Sequence, residues 1–295
     1  MSESNLQTMG LRPHFDFWQT SRFKIPLNRP LVMGILNATP DSFSQALSDF
    51  SPAKTIELAE HLVSEGADIL DLGGESTRPG AIALSAEQEW TRVQPVLEEI
   101  LKWNIPISLD TYHPENMRKG LDLGVDIIND VHALRIDGAL NAVASTECGI
   151  CLMHMHGEPL SMQKFPMPDP VIPQVLNFFN QRLQMMNDAG ILSDRIVIDP
   201  GIGFGKTVEQ NFQLLGMQEQ LFTLQLPVLS GWSRKSSLGA VTGLPVEDRM
   251  LPSVVAALIS VQNGASIIRV HDVAQTRNAL KVWEATKAHI DKLIQ

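Results

Sequence analysis

The sequence predicts a (β/α)8 TIM barrel with a short N-terminal covering segment, and three observations carry that prediction. From residue 31 onward, short apolar runs alternate with longer stretches of helical periodicity. Each run ends in polar or glycine residues. The chain has 295 residues, and a closed barrel of this class takes roughly 250. The runs are Leu31–Leu36, Ala67–Leu72, Ile105–Leu109, Val125–Ile128, Ile150–Met155, Ile196–Ile198, Pro227–Leu229 and Ser266–Val270. Strands alternating with helices call for parallel pairing and right-handed crossovers. A doubly wound sheet of about six strands leaves runs without a place.

Residues 1–30 are polar and irregular, with Phe15, Phe17 and Trp18 as anchors. They read as a tail and covering segment, and residues 31–295 as one barrel domain. Pro52 opens the first helix, Glu98 and Lys102 form an i,i+4 pair on the second, and Pro114 starts the third. There is no internal repeat and no low-complexity linker.

Hydrophobic content of 44% and charged content of 19% are ordinary for a chain with a substantial core. A net charge of −10 argues against nucleic-acid and anionic-membrane partners. The N-terminus MSESNLQTMG lacks a secretory pattern, and the apolar runs are too short to span a bilayer. The two cysteines form no disulfide framework, which fits a cytoplasmic location.

The active site of such a barrel lies at the C-terminal strand ends. There this chain places Asn37, the segment Gly73–Gly80, Asp110, Asn129-Asp130, His154 with His156, Asp199, Ser233–Ser236 and Arg269–Asp272. Single Asn or Asp residues at strand ends are usually turn chemistry. Polar groups at every end point to a ligand. Asp110, Asn129, Asp199 and Lys235 suit a flat, nitrogen-rich heterocycle. Arg269, His271, Arg78 and Asn37 suit an anion and a metal, with Arg269 and His271 two apart on one strand face.

Two tempting motifs fail. In DPGIGFGKT, Pro200 stands where a P-loop needs its first glycine, and Lys206 stands where a dinucleotide fingerprint needs its last. Cys148, Cys151, His154 and His156 imitate a zinc site. On a strand, however, Cys151 and His154 face opposite ways. Both cysteines read as core residues, while a two-histidine metal corner at His154 and His156 stays open.

These motifs occur in family order: MGILN at 33–37 with TPDSFS at 39–44, GGESTRPG at 73–80, SLDT at 108–111, IINDV at 127–131, CLMHM at 151–155, IDPGIGFGK at 198–206, SRKS at 233–236 and RVHDV at 269–273. With them the sequence closely resembles the dihydropteroate synthase family of pterin-binding barrels. The resemblance implies condensation of 6-hydroxymethyl-7,8-dihydropterin pyrophosphate with p-aminobenzoate, giving dihydropteroate and pyrophosphate. It implies that Asp110, Asn129, Asp199 and Lys235 hold the pterin and that Met153 packs on its ring. Asn37, Arg269 and His271 would take the pyrophosphate, with Mg2+ at Asn37. Thr77, Arg78, Pro79, Phe204, Lys235 and Ser236 would form the p-aminobenzoate side. A homodimer through the last helices is also implied.

The chain departs from the family after DSFS. Gln45-Ala46-Leu47 replaces the usual Asp-Gly-Gly of the first βα loop, removing backbone freedom and weakening the case for contacts from Phe43. His113 stands where Lys or Ser is common, with little expected from the change. The competing readings are a pterin-binding paralogue without condensation activity, a methyltetrahydrofolate–corrinoid methyltransferase, and a Schiff-base aldolase using Lys235.

Overall fold

Every apolar run becomes a strand of one parallel sheet. The computed structural model describes residues 13–39, 50–75, 83–157, 162 and 164–294. A small antiparallel hairpin, β1 (Phe17–Gln19) and β2 (Lys24–Pro26), precedes the barrel strands β3 (Leu31–Asn37), β4 (Ile69–Gly73), β5 (Ile107–Asp110) and β6 (Ile127–Asp130). The ring continues through β7 (Gly149–Met153), β8 (Ile196–Asp199), β9 (Leu229–Ser230) and β10 (Ile267–Val270). The strands pair in the order β8-β7-β6-β5-β4-β3-β10-β9, and a parallel bridge between Ile198 and Val228 joins the two ends into a ring.

The intervening helices are α1 (Pro52–Ser64), α2 (Ala86–Ile100), α3 (Pro114–Leu123), α4 (Ala139–Ala144), α5 (Val171–Asp188), α6 (Val208–Gly216), α7 (Ser236–Thr242), α8 (Met250–Gln262) and α9 (Val273–Ile294). Their ends follow local chemistry. Pro52 and Pro114 lie in the first turns of α1 and α3, and Gly124 ends α3 in the left-handed region at φ 105°. Ser85 and Gln88 form a reciprocal capping box on α2, and Thr207 and Gln210 form another on α6. The expected Glu98–Lys102 pair does not form. Helix α2 ends at Ile100, so Lys102 lies in the following turn and reaches Glu99 at 2.7 Å, while Glu98 accepts from Gln94.

Strand alternation divides the core. Outward residues such as Val32, Leu70, Leu72, Leu109, Ile128 and Ile198 pack with the helices in one continuous cluster. Inward residues Leu31, Met33, Ile69, Ile127, Cys151, Val197, Leu229 and Ile267 fill the lower barrel together with Trp18.

The hairpin closes the N-terminal end of the ring. Trp18 is fully buried, and its indole N–H donates to the Arg195 carbonyl at 2.9 Å. Arg22 grips the buried Asp126 carboxylate through Nε and Nη2, and the backbone N–H of Ile107 donates to the same group. With this end plugged by aromatic and aliphatic side chains, access to the interior is left to the C-terminal mouth.

Candidate active site

One step above the apolar plug, the inward positions turn polar: Asp71 on β4, Ser108 and Asp110 on β5, Asn129 on β6, Asp199 on β8 and Arg269 on β10. Asp71 is the hub. Its carboxylate accepts from Ser108 Oγ at 2.6 Å, from Asn129 Nδ2 at 3.2 Å and from Arg269 Nε at 2.6 Å. The other arm of the Arg269 guanidinium, Nη2, donates to Asp110 at 2.8 Å.

This arrangement revises the division drawn from the sequence. Arg269, two residues before His271, is also bound into the carboxylate layer. Strand β10 ends at Val270, and Arg269 reaches into the same network as the heterocycle-reading groups. His271, just past the strand, pairs instead with Ser233. Its backbone N–H donates to Ser233 Oγ at 3.1 Å, and that oxygen lies 2.9 Å from Nδ1. The ring tautomer sets which of the two atoms donates in this contact, because the hydroxyl can both donate and accept. Beside it, Arg234 pairs with Asp272 at 2.7 Å, tying the SRKS segment to the end of β10.

Asp199 ends β8, almost wholly buried. Its Oδ1 accepts from the Gly201 backbone N–H at 2.7 Å. A β-carbon at Gly231 would stand 3.9 Å from both Asp199 Oδ2 and Arg269 Cβ, so the absent side chain leaves the space between them open. Lys235 caps α7 and lies over the Phe204 ring, with Nζ 4.1 Å from its centroid. Phe204 and Met153 belong to an apolar wall with Val131, Met155 and Met162, against which Tyr112 packs. Ser236 is the first residue of α7 and is exposed, and Asn37 is exposed at the end of β3.

Burial and neighbouring charge set the ionisation of this layer. Burial pushes Asp110 up to about 7; Arg269 opposes the shift, while Asp71, Glu89 and Asp130 add to it. Burial also raises Asp199, against its Gly201 hydrogen bond and Lys235. Burial pulls Lys235 down to about 8, with Asp199 opposing and Arg269 adding. Burial works against the Arg269 charge as well, but Asp71 and Asp110 reverse it and hold the guanidinium above its ordinary value. Opposite shifts within one small cluster mark groups arranged for function rather than for stability.

The sequence reading missed Asp71, although a carboxylate inside the apolar run ILDLG was a usable signal: a buried strand seldom carries an unpaired charge. It also missed Glu75 and Tyr112. The Glu75 carboxylate accepts from the Leu84 backbone N–H at 2.9 Å and from the Tyr112 hydroxyl at 3.1 Å. His113, expected to matter little, stands 4.0 Å from the same carboxylate. Thr77, Arg78, Pro79 and the first-loop positions Phe43 and Gln45–Leu47 lie outside the described residues.

The cysteine–histidine imitation dissolves for a reason the strand argument did not contain. Strand β7 stops at Met153, and the His154 ring packs edge-on against Phe178 on α5, with centroids 4.8 Å apart. Cys151 lies inside the barrel plug, and Cys148 packs in the outer core beneath Arg195. Burial holds both thiols above their ordinary range.

A parallel barrel closed at one end, with three carboxylates, an amide and two cations at the other, has the form of an enzyme that binds a small polar ligand at its C-terminal mouth. The profile of the family described as "Pterin binding enzyme" matches residues 33–271. The dihydropteroate synthase of Neisseria meningitidis serogroup B is 49% identical over 275 residues, covering 91% of this chain and 96% of that protein. The Xanthomonas albilineans dihydropteroate synthase solved with 4-aminobenzoic acid superposes with a TM-score of 0.84 at 46% identity, over 90% of this chain and 95% of that one. The Burkholderia cenocepacia dihydropteroate synthase complexed with 7,8-dihydropteroate superposes with a TM-score of 0.86 at 42% identity, over 95% of this chain and 100% of that one. The chain belongs to the dihydropteroate synthase family of pterin-binding enzymes.

Proposed function

We propose that this chain joins p-aminobenzoate to 6-hydroxymethyl-7,8-dihydropterin pyrophosphate, releasing pyrophosphate and forming 7,8-dihydropteroate. The observation that carries the reading is the Asp71–Asn129–Arg269–Asp110 network beside Asp199. It presents acceptors and donors at one level, as the alternating edge of a pterin requires.

In this reading Asp199 and Asp110 accept from ring N–H groups, Asn129 offers both a donor and an acceptor, and Lys235 donates to ring acceptors. Met153 packs on the ring face. The C–O bond to pyrophosphate then breaks, the electron pair leaves with oxygen, and the methylene carbon becomes electrophilic. The two carboxylates favour the positive charge left on the pterin. Arg269 spends two N–H groups on Asp71 and Asp110, so three of its five donors are left for the departing anion. His271 adds a ring N–H donor. At an effective dielectric near 20, each cation about 4 Å from the anion contributes roughly 4 kcal/mol before desolvation. The arylamine attacks the carbon, a C–N bond forms, and the amine loses a proton. Phe204 and Ser236 are on the arylamine side in this account, and Thr77, Arg78 and Pro79 are assigned to the same substrate by the family resemblance alone.

Among the described residues no cluster of three or more His, Cys, Asp or Glu side chains is placed to hold a metal. The exposed Asn37 amide nevertheless fits Mg2+, a hard ion usually carried by substrate phosphates and water with few protein ligands. When bound there, the ion would neutralise charge on the leaving group.

Purified protein given both substrates and Mg2+ should release pyrophosphate and consume p-aminobenzoate; no turnover from demonstrably folded protein contradicts the proposal. The competing corrinoid methyltransferase reading is not favoured, given relatives of this identity across nine-tenths of the chain.

The pH dependence follows from the shifted groups. Asp110 must be ionised to accept from the ring, and Lys235 must be protonated to donate. The kcat/KM for the pterin substrate is therefore expected to be bell-shaped, rising near 7 and falling near 8. These limbs belong to the coupled network as a whole. A profile flat from pH 6 to 9, about one unit beyond each limb, would rule out these assignments.

A homodimer through the last helices is supported by an unpartnered apolar stripe. Leu251, Val255 and Ile259 recur every four residues along α8 and are exposed, as is Val282 on α9. Sedimentation equilibrium should give twice the chain mass for the native protein and the single-chain mass for a Leu251→Glu, Val255→Glu variant. A native monomer would reject the assignment. The absence of any helix long and apolar enough to cross a membrane among the described residues, and two free cysteines, support a cytoplasmic place.

A further inference from the structure

The β8–α6 loop contains a charged group that the proposed mechanism does not use. Lys206 is 3% exposed, and its ammonium donates to three backbone carbonyls: Gly201 at 2.8 Å, Phe204 at 3.1 Å and His154 at 3.3 Å. Three donors meeting three acceptors satisfy an ammonium completely. The glycines around it allow the close approach. A β-carbon at Gly201 would come within 1.9 Å of the His154 carbonyl oxygen, and one at Gly205 within 2.1 Å of the His156 carbonyl oxygen. Both glycines also have positive φ, at 68°.

The loop is thus wrapped around one buried cation and pressed against the end of β7. Its other anchors are lateral. Gly203 N–H donates to Asn211 Oδ1 at 2.8 Å, and Met167 N–H donates to the Gly205 carbonyl at 2.8 Å. At the crest sits Phe204, whose ring lies under the Lys235 ammonium, while the Lys235 stem rests 3.4 Å from where a Gly203 β-carbon would be.

We propose that Lys206 is a positioning residue for the arylamine substrate, acting as the central strut that holds Phe204 and the Gly203–Gly205 backbone in register with Lys235. The inference rests on the condensation reading above. The strut touches neither substrate. It determines whether the aromatic wall stands at the distance an incoming benzene ring needs, whereas the pterin contacts at Asp110 and Asn129 come from strands that it does not hold. Burial pulls Lys206 down to about 7; Asp199 opposes that shift and Lys235 adds to it, so the ammonium form of the strut is coupled to the charge row at the mouth.

The test is Lys206→Met, which keeps the aliphatic stem and removes the ammonium, with Lys206→Gln as a second variant should the first fail to fold. Amide hydrogen exchange across 201–207 should accelerate about tenfold while β5 and β6 amides stay as in the native protein. The KM for p-aminobenzoate should rise about tenfold or more, a larger factor than any change in the Kd for pterin pyrophosphate. Unchanged exchange in the loop would overturn the strut. Faster exchange with an unchanged KM for p-aminobenzoate, or an equal loss for both substrates, would overturn the positioning role. A native protein that consumes no p-aminobenzoate would instead defeat the condensation reading, and the exchange measurement would still decide whether Lys206 holds the loop.

Discussion

Asp199→Asn is expected to weaken pterin pyrophosphate binding by roughly 10²–10³-fold, or about 3–4 kcal/mol, because a site built around one acceptor is then left with a mismatched donor. The amide keeps the bond from Gly201 N–H through its oxygen. It then turns an NH2 group towards ring N–H groups that also donate, and the charge that complements the pterin is gone. Stability should move the other way. Burial raises the Asp199 pKa, so the ionised group destabilises the fold progressively as pH rises above the unfolded carboxylate value and through the folded one. The variant should therefore gain stability relative to the native protein as pH rises above about 4, the ordinary carboxylate value. Calorimetric titration with the pterin substrate, paired with thermal unfolding, reads both effects. Native affinity in the variant would reject Asp199 as a ring acceptor, whatever the melting temperature does.

Asp71→Ala is expected to cost about 3–5 kcal/mol of stability, the usual range for removing one partner of a buried ion pair. Arg269 would lose its Nε acceptor inside the barrel, and Ser108 and Asn129 would lose theirs. Among the described residues, Asp110 at 2.8 Å is then the one ion-pair partner left to the guanidinium. Freed from Asp71, Arg269 would follow Asp110, the group that the mechanism assigns to the pterin. The kcat/KM should fall by about 10²-fold, since misplacement of roughly 1 Å is enough for that. Urea unfolding with an unchanged m-value would report the stability loss. A variant as stable as the native protein would show that Asp71 is not the hub of the network.

Much of the architecture was legible because strand period and strand ending are local signals. Ile196–Ile198 followed by Asp199 announces both a buried strand and the side chain it delivers to the mouth, and the same logic placed Asn37, Asp110, Asn129 and Arg269 at strand ends. What the runs did not carry was partnership across the ring. Asp71 and Arg269 are separated by 198 positions, and only barrel closure brings them to 2.6 Å. No reading of β10 alone would have joined Arg269 to the carboxylate layer.

The glycines of DPGIGFGKT show a different limit. Their spacing correctly failed the phosphate-loop and dinucleotide patterns. Their actual reason, backbone packing against residues 154–156 around the Lys206 ammonium, depends on a neighbouring loop. The end of β7 was misjudged for the same cause. His154 still donates its N–H to Asp199 O at 2.9 Å, yet beyond Met153 the chain follows the glycine loop rather than the sheet.

The most direct test of the whole account is a crystal structure of the protein with pterin pyrophosphate and a p-aminobenzoate analogue. The ring edge should lie within hydrogen-bonding distance of Asp199, Asn129 and Asp110, with the pyrophosphate against Arg269 and His271 and the aromatic ring beside Phe204 and Lys235. Pyrophosphate cradled instead by the Gly201–Gly205 backbone, away from Arg269 and His271, with no pterin between Asp199 and Asn129, would contradict it.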